Sequence, residues 1–431
     1  MSLLIDNEPR DYDWGTPGGI ARLRGVPSRR FHSAGAFVAS EVSAAPTASA
    51  AESSAPMPVV AEPEAELWLG THPTWPSVVV DGPHEGETLS EALQQLGRPA
   101  DIGYLFKLLA VDRPLSVQVH PDAEQANEGF VLENAMNVPL TAAVRNYRDP
   151  NAKPEMVYAL SESFDLLAGF RDPEAVIADV ELILRSCQSR AEEIIWLELL
   201  HALVEADPIE AAVRWMLQDD AAFGRALANQ MHIRFMGGFG VCANERDEVL
   251  RRLDEHYPGD RGVPFGLLLR HETLERGQSI YLRPRTPHCY LHGTGLELMG
   301  PSDNVLRAGL TSKHVDDHEF LKVLDFEPSA PKHLYEYHKN DVVEVQAEGA
   351  GLRLTFTHVS DGQRARVPFH DGDIAYVMHH HGDGRLLIRD ADGAQLTVGE
   401  GQAAALVDAR ELHIVAPEQG HATVVVAGRD S

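Results

Sequence analysis

The chain has 431 residues, 44% of them apolar, and a formal charge of −28, which allows two or three domains with cores of their own. That acidity argues against nucleic acid or an anionic membrane as partner, because both need a net basic face, and no apolar run reaches the ~18 residues a membrane span requires. Three scattered cysteines (Cys187, Cys242, Cys289) and a Met1–Arg10 segment without basic-then-apolar order predict a reducing, cytoplasmic setting and no signal peptide. A small anionic ligand stays open, since exposed charges are screened beyond ~8 Å and a few local Lys and Arg can still form an anion pocket.

Tyr12 and Trp14, followed by Gly15, Gly18 and Gly19, predict a short strand and a turn with the aromatics facing inward. From about 32 to 63 the composition shifts to Ala, Ser, Pro and Val without periodicity, which predicts a flexible insertion. Residues 65–73 read as a strand ending in a Gly-Thr-His-Pro turn, with His72 structural. Leu89–Leu96 reads as a brief helix with Thr88 as N-cap and Glu91 three residues on. The apolar segment from Tyr104 to His120, broken by Asp112-Arg113-Pro114, reads as a β-hairpin with Lys107 on its first arm. Asp122 is available to cap a short helical turn over Glu124–Asn127.

A polar turn over 147–156 then feeds a strand at Val157–Leu160, with Lys153 and Glu155 two apart at its mouth. Asp172-Pro173 caps a block of helical spacing that runs to about 255. From Tyr257 onward short β segments return: Leu267–Arg270, Gln278–Leu282, Pro287–Leu291, Leu296–Met299, and seven more between 342 and 426. Many short strands with Gly/Asp turns predict a mainly β fold of sandwich or barrel type, with an α-helical insertion.

The chemistry centres on Ser116-Val117-Gln118-Val119-His120-Pro121-Asp122. Gln118 and His120 are two apart in an apolar run, so a strand aims both at one cavity. Glu155 and His288 complete a candidate ligand set, with His72, His292 and His379-His380-His381 as competitors; the triple His abuts Gly382-Asp383-Gly384 and reads as a hairpin tip. Oxygen and nitrogen donors without Cys suit a catalytic Zn²⁺, whose open position takes water or substrate.

These segments, together with Lys153-Pro154-Glu155-Met156, Pro287-His288-Cys289-Tyr290-Leu291 and the run from Ser302 to Lys313, resemble the type I phosphomannose isomerase family. Tyr12–Gly15, the 65–73 segment and Tyr257–Asp260 are similar to it too, in family order to about residue 325. The resemblance implies two cupin-type (jelly-roll) β-barrels and a helical domain. Residues 1–171 and 258–330 would form a discontinuous zinc-binding barrel, 172–257 the helices, and 331–431 a cupin-like barrel without metal. It implies one Zn²⁺ per chain on Gln118, His120, Glu155 and His288, a catalytic Arg307, and a pocket lined by Trp14, Ser116, Lys153, Glu297 and Lys313.

Lys153 and Glu297 are then the candidates to shuttle a proton, while Arg307 and Lys313 offer charge to a phosphate. The expected reaction is aldose–ketose isomerisation of mannose 6-phosphate by a monomer, with a small sugar phosphate as its partner. The rivals are an isomerase of another sugar and a non-catalytic sugar-phosphate-binding protein. Ala152, Gly300-Pro301 and the 32–63 insertion depart from the family pattern without removing a ligand.

Overall fold

The computed structural model describes residues 1–31, 37–39, 61–242, 245–339, 341–381 and 384–429. Most of the 32–63 insertion lies outside them. Among the described residues the fold is mixed, with much sheet and nine α-helices. No helix among these residues is long and apolar enough to cross a membrane.

The sheet that carries the site is antiparallel and ten-stranded. The strands that matter are β1 Leu3–Asp6, β2 Glu66–Gly70, β3 Leu105–Val111, β4 Val117–Val119, β5 Glu155–Ala159, β6 Ser163–Phe170, β7 Leu269–Glu275, β8 Ser279–Leu282, β9 His288–Met299 and β10 Leu306–Gly309. All but β1 belong to this sheet. At its centre β9 pairs with β3, β4, β5 and β6. Sequence reading divides β9 into two strands because Gly293 and Gly295 interrupt its apolar pattern. Gly293 has φ 127°, and a Cβ there would lie 2.9 Å from the Phe164 backbone, so the glycine lets two strands touch rather than ending one.

The hairpin expected over 104–120 does not form. β3 and β4 pair with β9 rather than with each other, so Asp112-Arg113-Pro114 is a crossing and not a hairpin turn. Three further details concern local structure. Tyr12 to Gly15 is a turn with the short strand after it, at Thr16–Pro17, Phe265–Leu268 is a short helix preceding β7, and the turn after Asp122 extends into the 13-residue helix Ala123–Ala135. Asp122 caps that helix in a capping box with Gln125, and Thr88 with Glu91 caps Leu89–Gln95 in the same way.

The helical block is as its periodicity predicts. Asp172 accepts from Glu174 N with Pro173 in the first turn, and Val176, Val180 and Ile183 face inward at helical spacing. With Trp196, Leu199, Leu203 and Met216 they pack on Val117 and Val119 of β4, on Leu167 and on Leu306. Each such fully buried side chain contributes about 1.5–3 kcal/mol. The helices therefore seat the back of β4, and Gln118 is left on its other face.

Beyond this sheet, the last hundred residues supply most of an eight-stranded and a four-stranded sheet with an apolar core between them. In the eight-stranded sheet, β11 Leu352–Ser360, β12 Ile374–His381, β13 Ala403–Ala405 and β14 His421–Arg429 are joined by β1 from the chain's start. The β12 backbone stays extended through His381, where a turn was expected. Gly382-Asp383 and the side chains of 379–381 lie outside the description.

Candidate metal centre and its pocket

Gln118 lies at the middle of β4, paired to His288 on β9 at one side and to Arg307 on β10 at the other. Directly paired residues of an antiparallel ladder share a face, so three predicted site residues stand in a row. The β10 end of that row is held close by glycine. A Cβ at Gly309 would lie 2.5 Å from the Gly262 Cα, and Asp260 accepts from both Gly262 N and Leu310 N at 2.7 Å.

His120, Glu155 and His288 are all buried, and their ligand atoms lie within 4.8 Å of one another. His120 Nε2 is 3.3 Å from Glu155 Oε1, and His288 Nε2 is 3.3 Å from Glu155 Oε2. Each imidazole is oriented from behind: His120 Nδ1 donates to the Asn304 carbonyl at 2.7 Å and His288 Nδ1 to the Thr286 carbonyl at 3.0 Å. With Nδ1 carrying the proton, both Nε2 lone pairs face the carboxylate. Burial and the Lys153 ammonium hold His120 down at about 3, so it is neutral at ordinary pH. Glu155 Oε2 is buried without a hydrogen bond. Lone pairs converging on an orphaned carboxylate oxygen are what a bound cation satisfies.

Lys153 Nζ stands 2.8 Å from Glu155 Oε1 and 3.5 Å from His120 Nε2. Burial favours the protonated Glu155, but its neighbours, the Lys153 ammonium foremost, outweigh it and hold the carboxyl well below its usual range. Glu297 sits opposite Lys107 across β9 and β3, with Lys107 Nζ 2.9 Å away and the Tyr290 hydroxyl donating to it at 2.8 Å. Burial raises Glu297 against the pull of Lys107. Lys107 also lies 5.0 Å from the Trp68 ring centre and 3.7 Å from Glu66. Burial alone would lower its ammonium, and Glu297 and Glu66 reverse that. Lys107, Tyr290 and Glu66 carry no role in the sequence reading. A charged residue in a wholly buried strand such as β3 is the signal that marks Lys107.

Trp14, Tyr12 and Lys313 stand together. Trp14 stacks on Tyr12 with ring centres 5.6 Å apart, and Lys313 Nζ lies 4.9 Å over the other aromatic partner, Tyr12. Burial lowers the Lys313 ammonium, and Arg307 lowers it further; burial and Arg148 do the same to Arg307. Cations lowered by cationic neighbours mark a positive corner suited to an anion. Ser116 is half-buried just before β4. His72 is 3.4 Å from Asp303 and packs edge-on to Trp68, outside the His120–Glu155–His288 group, and His292 lies opposite Asp165.

Asn304 is a further organiser. Fully buried, it accepts from Arg148 N (2.7 Å) and Asp149 N (3.3 Å) and donates to the Asp149 and Asn151 carbonyls (2.8 and 3.1 Å). One side chain thus pins the loop that leads to Lys153 and Glu155, while its own carbonyl orients His120.

Residues 40–173 match the family described as phosphomannose isomerase type I, catalytic domain. Mannose-6-phosphate isomerase of Salmonella typhimurium is 32% identical over 361 residues, covering 81% of this chain and 84% of that protein. The Escherichia coli protein of that name is 30% identical over 374 residues, with 82% and 85% covered. The fold matches the apo crystal structure of the Salmonella typhimurium enzyme with TM-score 0.77 at 23% identity, over 100% and 99% of the two chains. It matches a crystal structure of mannose 6-phosphate isomerase with zinc bound equally well, with TM-score 0.77 at 24% identity and 99% of each chain covered.

Proposed function

Because the chain belongs to the mannose-6-phosphate isomerase family, we propose that it interconverts mannose 6-phosphate and fructose 6-phosphate at the His120–Glu155–His288 centre. The observation that carries the reading is that the ligand atoms of buried His120, Glu155 and His288 lie within 4.8 Å of one another, with Glu155 Oε2 left without a hydrogen bond.

His120, Glu155 and His288, with the side-chain amide of Gln118, would hold one Zn²⁺. Bound there, zinc supplies Lewis acidity toward a carbonyl or hydroxyl oxygen. Gln118 Nε2 lies 3.2 Å from His288 Nε2, and a half-turn of the amide presents its oxygen instead.

The isomerisation moves a proton between adjacent carbons. A base removes it from C2 of the aldose while O1 gains a proton, giving an enediol, and return of a proton to C1 with loss of the one on O2 gives the ketose. Lys153 and Glu297 are the groups for this transfer, one in contact with Glu155 and the other held by Lys107 and Tyr290. Arg307 and Lys313 bind the phosphate, Trp14 and Tyr12 wall the pocket, and Ser116 lines its entrance beside β4. The architecture proposed with this reading is a zinc-binding cupin barrel from 1–171 and 258–330, a helical domain from 172–257 and a metal-free cupin-like barrel from 331–431. The proposed partner is a small sugar phosphate, and the proposed active form is a monomer.

The test is a coupled assay on mannose 6-phosphate, with metal content measured on the same preparation. Chelation that removes the metal should abolish turnover, and zinc should restore it. His120→Ala should lose both together. Full turnover after verified metal removal would sink the reading.

A further inference from the structure

One cation beside the pocket has no part in the chemistry so far. Arg10 is half-buried and paired across an antiparallel bridge with Glu66 of β2. Its N–H donates to the Glu66 carbonyl at 2.7 Å, and Ala65 N–H donates to the Arg10 carbonyl at 2.8 Å. The Glu66 carboxylate, however, turns to Trp68 Nε1 and Lys107. In a chain with 65 Asp and Glu against 37 Lys and Arg, the Arg10 guanidinium thus lies among rings instead.

Those rings form a cage. The guanidinium carbon is 4.2 Å from the Trp75 ring centre, 5.1 Å from Tyr12 and 5.6 Å from Trp68, within reach of cation–π attraction to all three. The two tryptophans are anchored by backbone contacts. Asn7 Nδ2 donates to the Trp68 and Trp75 carbonyls at 3.0 and 3.1 Å, and Trp75 Nε1 donates to the Glu8 carbonyl at 3.0 Å. Arg10 Nε then donates to the Tyr12 hydroxyl at 3.2 Å, and Lys313 Nζ lies 4.9 Å from the centre of that same ring. Lys313 is an exposed, many-jointed side chain, and a ring held still beneath its ammonium narrows the positions it samples. Burial and Arg307 lower the Lys313 ammonium, and Arg10 adds to them, so the charge of Arg10 is felt at Lys313.

We propose that Arg10 is a positioning residue for phosphate binding: held by Trp68 and Trp75, it fixes the Tyr12 ring on which Lys313 rests, and so sets where Lys313 meets the phosphate of a sugar phosphate. This role rests on the sugar-phosphate reading of the pocket.

A double-mutant cycle between Arg10 and Lys313 tests it. Arg10→Met should raise KM for mannose 6-phosphate about three- to tenfold, with kcat and metal content unchanged. Mannitol 1-phosphate has no carbonyl to isomerise, and its binding, read by titration calorimetry, should weaken by the same factor. In a Lys313→Met background the same change should lower affinity less than about twofold, because residues that act through one another are not additive. Thermal unfolding checks that the variants fold. Should Arg10→Met fail to fold, Tyr12→Phe, which deletes only the accepting hydroxyl, goes through the same cycle with the same expected sign. Losses that multiply in the double variant overturn the proposal, as does a fall in kcat at unchanged KM. Coupled losses of mannitol 1-phosphate binding in a chain without turnover would uphold it while sinking the isomerase reading.

Discussion

Arg307 stands directly across the β4–β10 ladder from Gln118. A guanidinium and a proposed metal-ligand amide therefore share one face of neighbouring strands, with no loop between to loosen their spacing. On the proposed reading, this ties the phosphate end of a substrate to its reacting end by backbone register.

Arg307→Lys keeps the charge and loses the planar fork that grips a phosphate at two points. KM for mannose 6-phosphate should rise about tenfold, with metal content unchanged. Arg307→Ala should lower kcat/KM further, by a factor of about 100 or more. Steady-state kinetics beside metal analysis checks both, and an unaltered KM in the alanine variant would remove Arg307 from substrate binding.

Lys153 touches Glu155 and lies near His120, yet it is not needed as a ligand. Lys153→Met should keep the metal, or hold it more tightly, because a competing cation leaves the centre. Turnover should fall by about 10²–10⁴, the range of a lost general acid–base group. Equal loss of metal and turnover would instead make it a structural support.

Lys107 and Glu297 are a buried pair at 2.9 Å. Breaking such a pair from one side strands a charge and costs about 3–5 kcal/mol, while removing both charges costs far less. Urea unfolding should show Lys107→Met strongly destabilised and the double variant Lys107→Met/Glu297→Leu recovering much of the loss. Activity should not recover, since the proton-transfer candidate is gone.

Asn304→Ala deletes four hydrogen bonds to the backbone of 148–151. With each buried backbone group left unpaired costing about 1–3 kcal/mol, stability should drop by roughly 3 kcal/mol or more. Metal affinity should weaken about 10–100-fold through the loosened Lys153–Glu155 loop, although no ligand has changed. Calorimetry and metal competition measure the two effects separately.

The candidate ligands were legible because chemistry and periodicity coincide in them. Gln118 and His120 are polar residues two apart in an apolar strand, and the amphipathic helices announce themselves through Val176, Val180 and Ile183. What stayed hidden depends on partners far along the chain. Lys107 is explained only by Glu297, and the crossing at 112–114 only by β9, about 170 residues later than β4. Asn304 looks like a loop residue until the 148–151 backbone is seen folded around it. A glycine also misled, since Gly293 marks close strand contact where sequence reading separates two strands.

The place of β1 bears on how the molecule is made. Leu3 pairs with Ala405 and Ile5 with Ala403, and the Met1 ammonium donates to the Val407 carbonyl at 2.8 Å. At a synthesis rate of ~5–20 residues per second, one edge of the first strand meets Val78–Val79 early, while the other waits some tens of seconds for partners that lie roughly 400 positions downstream. Until then the strand carrying Leu3 and Ile5 has one edge unpaired, open to wrong pairings. Closing that sheet is a late, long-range event, and lesions at either end of the chain should slow the same step of refolding.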